Sequence, residues 1–171
     1  MPAEGRPLAA RLAGLPIPHV LLSSFQVSPV DLAQHANEFP LVIYFYPGGS
    51  SSPDDGHDGP MMDAAQHRAF RDHHPDFVAH ECRAIGISSQ SEQAQQKSAG
   101  TIGISHLLLT DPELQLAQEL ELPTFTVDGK SWYQRLTLVA SHGTIDKAFY
   151  PVPSAARSAA QAIAWMQVHG I

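Results

Sequence analysis

The run Leu41-Val-Ile-Tyr-Phe-Tyr46, stopped by Pro47-Gly48-Gly49, decides how the rest of the chain is read. Its residues are β-branched or aromatic and apolar at every position, so both alternating faces want burial. That is the pattern of a strand at the centre of a sheet covered on both sides. After it the composition shifts to Gly, Ser, Pro and Asp from Gly48 to Gly59, a longer and more polar loop than a strand-to-helix turn needs. A helix of about four turns follows, with Gly59 as a possible cap, Pro60 in its first turn and a stop before Pro75.

Outward from this core, Cys82-Arg-Ala-Ile-Gly-Ile87 and His106-Leu-Leu-Leu109 read as further strands, with a polar helix over Ser91 to Ala99 between them. Asp111-Pro112-Glu113 starts a helix running through Leu120. Trp132 to Ala140 and Thr144 to Tyr150 read as two strands joined at Ser141-His142-Gly143, and Ser154 caps a closing amphipathic helix to Met166. Before the central strand, His19 to Leu22 and Val27 to Leu32 are short extended segments, and Asp31 to Ala36 forms one helical turn. Met1 to Pro18 reads as a partly ordered lead-in with a short helix around Ala9 to Ala13. Early alternation of strands and helices, then a hairpin and a helix, predicts an α/β sandwich with a mixed sheet in a single domain over residues 1–171.

Composition narrows the partners. Apolar residues make up 43% of 171, enough for one sizeable core, and the net charge is -7 with ten Lys and Arg in no basic cluster. Nucleic acid and anionic membranes are therefore not expected as partners, which leaves small molecules or proteins. No charged leader precedes an apolar run, and no apolar stretch approaches the roughly 18 residues of a spanning helix. We expect a cytoplasmic protein whose single cysteine, Cys82, stays reduced.

Six strings, weak singly, carry a resemblance through their order and spacing: Tyr44-Phe-Tyr-Pro47, Ala69-Phe-Arg-Asp72, Ile85-Gly-Ile-Ser-Ser-Gln90, Leu107-Leu-Leu-Thr-Asp-Pro112, Leu122-Pro-Thr-Phe125, and Arg135-Leu-Thr-Leu138 before His142-Gly143. From about Leu15 to Trp165 the chain resembles the peroxiredoxin family of the thioredoxin superfamily. The resemblance implies a thioredoxin-like sandwich, with a central mixed β-sheet flanked by helices, and a homodimer. In such peroxidases a thiolate at the start of a helix attacks the peroxide O–O bond, its pKa lowered by the helix N-terminus and a nearby arginine. Counting back from Ala69-Phe-Arg-Asp72, the position resembling that cysteine holds Asp63, and Arg135 matches the family's strand arginine. The Pro and Thr that usually precede the cysteine are not recognisable in Asp55-Gly-His-Asp-Gly-Pro60. A carboxylate cannot become a sulfenic acid, so thiol peroxidase chemistry is not expected at this helix.

Other chemistry remains open there. Asp63 and His67 stand four residues apart and share a helix face, with Arg135 arriving from the sheet if the family geometry holds. A carboxylate-oriented imidazole beside a guanidinium can serve as a general acid or base on a small organic substrate. An acid in a first helical turn also simply favours the helix dipole, and Asp-His pairs at this spacing are common surface features. Tyr46, Pro47, Met62 and Trp132 are candidates to line the pocket, although aromatic and Met side chains suit a core equally well.

The loop Asp54-Asp-Gly-His57-Asp58 gathers carboxylates and an imidazole, which makes His57 and Asp58 weak metal candidates. Asp and Gly are also the residues turns demand, and no metal or cofactor is expected. Cys82 is flanked by Glu81 and Arg83, with no helix N-terminus to activate it, and reads as an inert apolar residue. Two further functions stay open beside acid-base chemistry: a binding or scaffold protein, and a residual thiol peroxidase working through Cys82.

Overall fold

In the computed structural model the described residues are 7–49 and 58–171. The strand β3 (Leu41–Phe45) is buried at every position and sits at the centre of a five-stranded sheet. On one side it pairs in parallel with β4 (Arg83–Ser88), which pairs in parallel with β5 (Leu107–Thr110). On the other side it pairs antiparallel with β8 (Leu136–Ser141), which pairs antiparallel with the edge strand β9 (Thr144–Phe149).

The period of two divides the core. Leu41, Ile43 and Phe45 pack with Leu12, Ile17, Leu32, Ala33 and Ala36, which belong to or border α1 (Leu8–Leu12) and α2 (Leu32–Glu38). Val42, Tyr44 and Tyr46 face the other way. They pack with Phe70 of α3 (Gly59–Asp72), Phe77 of α4 (His74–Ala79), and Ala159, Ala162 and Met166 of α7 (Ser158–His169). A central strand apolar on both faces is what this two-sided cover requires.

Short elements protect the periphery. β1 (Leu21–Leu22) pairs antiparallel with β2 (Val30–Asp31), and the Asp31 carboxylate caps α2 by accepting from Gln34 N–H. The open side of β5 is met by Ser23, whose carbonyl accepts from Thr110 N–H, and by Gln26. The Gln26 amide donates to His106 O and accepts from Leu108 N–H, as a neighbouring strand would. α5 (Glu92–Ile102) is capped by Ser91 and ends on Gly103, whose φ of +83° suits glycine at a helix C-terminus.

Four expectations shift. The run from Trp132 to Ala140 is two strands: β7 (Lys130–Tyr133) pairs only with β6 (Thr124–Val127) in a separate hairpin, and β8 joins the main sheet. The helix expected from Asp111 begins later, as α6 (Gln115–Leu120). The Asp111 carboxylate accepts from Gln115 N–H, Leu116 N–H and the Tyr133 hydroxyl, so it anchors that helix from outside. Ser154 makes no side-chain cap: a 3-10 turn over Ala155–Arg157 intervenes before α7. Gly59 is the first residue of α3, with Asp58 at the cap position.

Candidate active site

Asp63 lies in the second turn of α3, facing inward at 7% exposure. Its two oxygens have separate partners. Oδ2 accepts from the backbone N–H groups of Gly48 and Gly49, each at 3.1 Å, just beyond the end of β3. Oδ1 stands 2.8 Å from a terminal guanidinium nitrogen of Arg135, which is itself 6% exposed. The φ angles of Gly48 (+77°) and Gly49 (+105°) let successive amides turn toward one acceptor, a conformation that side-chain-bearing residues rarely adopt. The same guanidinium donates to Gln66 Oε1 at 2.9 Å and to the Gly59 carbonyl at 3.2 Å, which ties the start of α3 to the sheet.

Burial pushes the Asp63 carboxyl up from its ordinary value, while Arg135 and the two glycine amides pull the other way by favouring the charged form. The arrangement is an anion cradle made from two backbone N–H groups and one arginine, and it is filled by the protein's own carboxylate.

His67 does not orient on Asp63. Its Nδ1 is 2.8 Å from the Tyr44 hydroxyl, which is 2.6 Å from Nε2 of His106. The result is a buried chain of two imidazoles bridged by a phenol. Tyr44 stacks on Phe70 with centroids 4.0 Å apart, and Tyr46 meets His67 edge-on at 4.5 Å. Desolvation lowers His67 to about 3, with His106 and Arg135 adding repulsion, and lowers His106 to about 4. Both rings are therefore neutral at physiological pH. Gly86 makes this chain possible: a Cβ there would lie 2.7 Å from Tyr44 Cζ and 2.8 Å from Leu108 Cδ2, so the phenol reaches His106 only across a glycine.

The remaining candidates separate. Tyr46 is buried, with its hydroxyl accepting from Gln95 at 3.4 Å, and Pro47 is buried beside it. Met62 is half-buried next to Asp63 in α3. Trp132 lies on the β6–β7 hairpin under the Lys130 ammonium, 4.4 Å from its ring centre. His57 falls outside the described residues, and Asp58 is exposed; among the described residues no three His, Cys, Asp or Glu side chains gather as a metal site would. Cys82 precedes β4, is 3% exposed, and burial pushes its thiol up to about 12.

Reading the residues alone did not single out Tyr44 or His106. Tyr44 sits in an apolar run where an aromatic ring is expected in the core, and His106 lies 62 positions away. Gly86, inside a strand of branched residues, is the one sequence signal of a close approach.

The family model described as Redoxin matches residues 12–163. Among solved structures, peroxidoxin BcpB from Mycobacterium tuberculosis superposes with a TM-score of 0.75 at 21% identity, covering 91% of this chain and 96% of that one. Reduced Prx3 from Vibrio vulnificus, in complex with hydrogen peroxide, gives 0.76 at 16% identity, with coverages of 92% and 97%. A cysteine-to-serine mutant of PrxQ from Xylella fastidiosa gives 0.76 at 18%, with 93% and 97%. No curated protein matches. No helix among the described residues is long and apolar enough to cross a membrane.

Proposed function

The chain belongs to the Redoxin family, and from that premise we propose that it is a member without thiol peroxidase chemistry, one whose fold serves a small organic ligand instead. The reading takes residues 1–171 as one cytoplasmic domain and Asp63 as the occupant of the position that the family gives to its peroxidatic cysteine. One observation carries it: the cradle of Gly48 N–H, Gly49 N–H and Arg135 at α3 holds the Asp63 carboxylate. Such a cradle stabilises an anion, and a carboxylate fills it permanently without any route to a sulfenic acid. Cys82 offers no substitute, because a buried thiol pushed up to about 12 is almost wholly protonated at neutral pH.

Acid-base catalysis is a second reading, supported by the hydrogen-bonded His67–Tyr44–His106 chain as a proton relay; imidazoles held at about 3 and 4 are weak bases at neutral pH, so it ranks below ligand binding. In this version His67 exchanges the proton, Arg135 and Asp63 hold the wall of the site, and Tyr46, Pro47, Met62 and Trp132 are proposed to contact the ligand. Asp63 is not the base, since both its oxygens are already engaged. A homodimer is proposed on the resemblance alone, and sedimentation velocity tests it.

The experiment for the main reading is consumption of hydrogen peroxide and of an organic hydroperoxide with a dithiol reductant, comparing wild type with Cys82→Ser. We expect both proteins to match the blank without protein. Consumption by wild type that disappears in Cys82→Ser overturns the reading in favour of a relocated thiol.

A further inference from the structure

The two outer edges of the five-stranded sheet are closed by unlike means. At β9 the chain's own backbone meets the start of the strand: Gly14 N–H donates to Ile145 O, Ile145 N–H to Leu15 O, and Ile17 N–H to Gly143 O. β9 also carries Asp146 and Lys147, charges of the kind that keep an edge strand from pairing with another chain. β5 has no such charge. Ser98 to Thr110 contains no Asp, Glu, Lys, Arg or Pro, and the strand itself is Leu107-Leu-Leu-Thr110. An apolar run without charge or proline pairs edge to edge when its backbone is open.

What closes β5 is a backbone contact at one end and a single side chain at the other. Ser23 O accepts from Thr110 N–H. The half-buried Gln26 takes two further backbone groups: its Nε2 donates to His106 O at 2.8 Å, and its Oε1 accepts from Leu108 N–H at 2.8 Å. A carboxamide has the donor and acceptor of a peptide group, so it fills the place of a neighbouring strand without extending the sheet. The side chain is itself fixed, because Ser24 Oγ accepts from Gln26 N–H at 3.0 Å and donates to Gln26 Oε1 at 3.2 Å.

We propose that Gln26 guards the β5 edge, and that removing its carboxamide lets a second copy of this chain pair there, β5 against β5 about a twofold axis. With the guard in place, the β5 edge takes no part in any assembly of the native chain.

The test compares the full chain as wild type, Gln26→Ala and Gln26→Met by sedimentation velocity across a concentration series, with amide hydrogen exchange read at Leu108. At low concentration both variants should sediment like wild type and exchange the Leu108 amide about fivefold or more faster. As concentration rises they should form a larger species that wild type does not. Ser105→Lys, an exposed charge placed beside the strand, should return Gln26→Ala to the wild-type sedimentation profile. Folded variants that sediment like wild type at every concentration, or unchanged exchange at Leu108, overturn the proposal. So does association that Ser105→Lys fails to reverse, because that reports general misfolding. A collapsed amide spectrum in both Gln26 variants overturns it as well, since Gln26 would then be holding the fold rather than guarding an edge. None of these readouts depends on what the Asp63 site does.

Discussion

The Asp63–Arg135 pair and the His67–Tyr44–His106 chain start four residues apart on the same helix and bury polarity by opposite means. The first keeps full charges and closes on itself: each carboxylate oxygen has a partner, and the guanidinium also reaches Gln66 and Gly59. The second gives up charge, because desolvation forces both imidazoles neutral, and it ends on a nitrogen that no described residue satisfies. A buried charge tolerates no missing partner, whereas a neutral network can leave one acceptor bare. The closed cluster therefore holds the fold, and the neutral one leaves a buried ring nitrogen without a partner among the described residues.

The largest effect should come from breaking the charged pair. Arg135→Met leaves a carboxylate buried beside two amides and should cost roughly 3–5 kcal/mol in urea unfolding. Adding Asp63→Leu to Arg135→Met should recover most of that loss, which would show that the cost lies in the orphaned charge. Gly86→Ala comes next, at about 1–3 kcal/mol, because its Cβ collides with Tyr44 and Leu108 and must displace the phenol from between the imidazoles. Tyr44→Phe keeps the stack on Phe70 but deprives both imidazoles of their bridge, at a similar or smaller cost of about 1–2 kcal/mol.

The two clusters also differ in the sign of their pH dependence. His67 at about 3 and His106 at about 4 lie below the ordinary 6.5, so the unfolded chain binds protons that the native protein refuses. Their contribution is complete above about 6.5 and is lost as pH falls, by about 1 kcal/mol or less per imidazole between pH 7 and 6. Asp63 is raised instead, so its contribution is full below 3.8 and is lost as pH rises through its native value. Denaturation midpoints measured from pH 7 to 5 should therefore fall, and His67→Phe should flatten the slope. The smallest effect concerns Cys82, which should resist Ellman's reagent in the native protein and react fully in denaturant.

The central strand was legible because burial on both faces leaves a periodic trace, and the β3 register places its alternate residues in two different cores. Helix spacing likewise put Asp63 and His67 on one face of α3. Spacing says nothing about what arrives from elsewhere, however, and the partners came from a glycine turn and a strand tyrosine, not from each other. Position 135 was read from family resemblance; no local pattern predicts an arginine buried at 6%. The hairpin of β6 and β7 did have a local signal in Asp128-Gly129, both at positive φ, as a two-residue turn demands, and taking Trp132 to Ala140 as one continuous strand obscured it.

The most direct test of the anion cradle is the acidity of a thiol placed in it: Asp63→Cys in a Cys82→Ser background, with alkylation by iodoacetamide followed against pH. The account predicts a thiol more acidic than in the same variant with Arg135→Met, because Gly48 N–H, Gly49 N–H and Arg135 would offset the cost of burying a thiolate as they now do for the carboxylate. A folded pair of variants whose thiols titrate alike would contradict it.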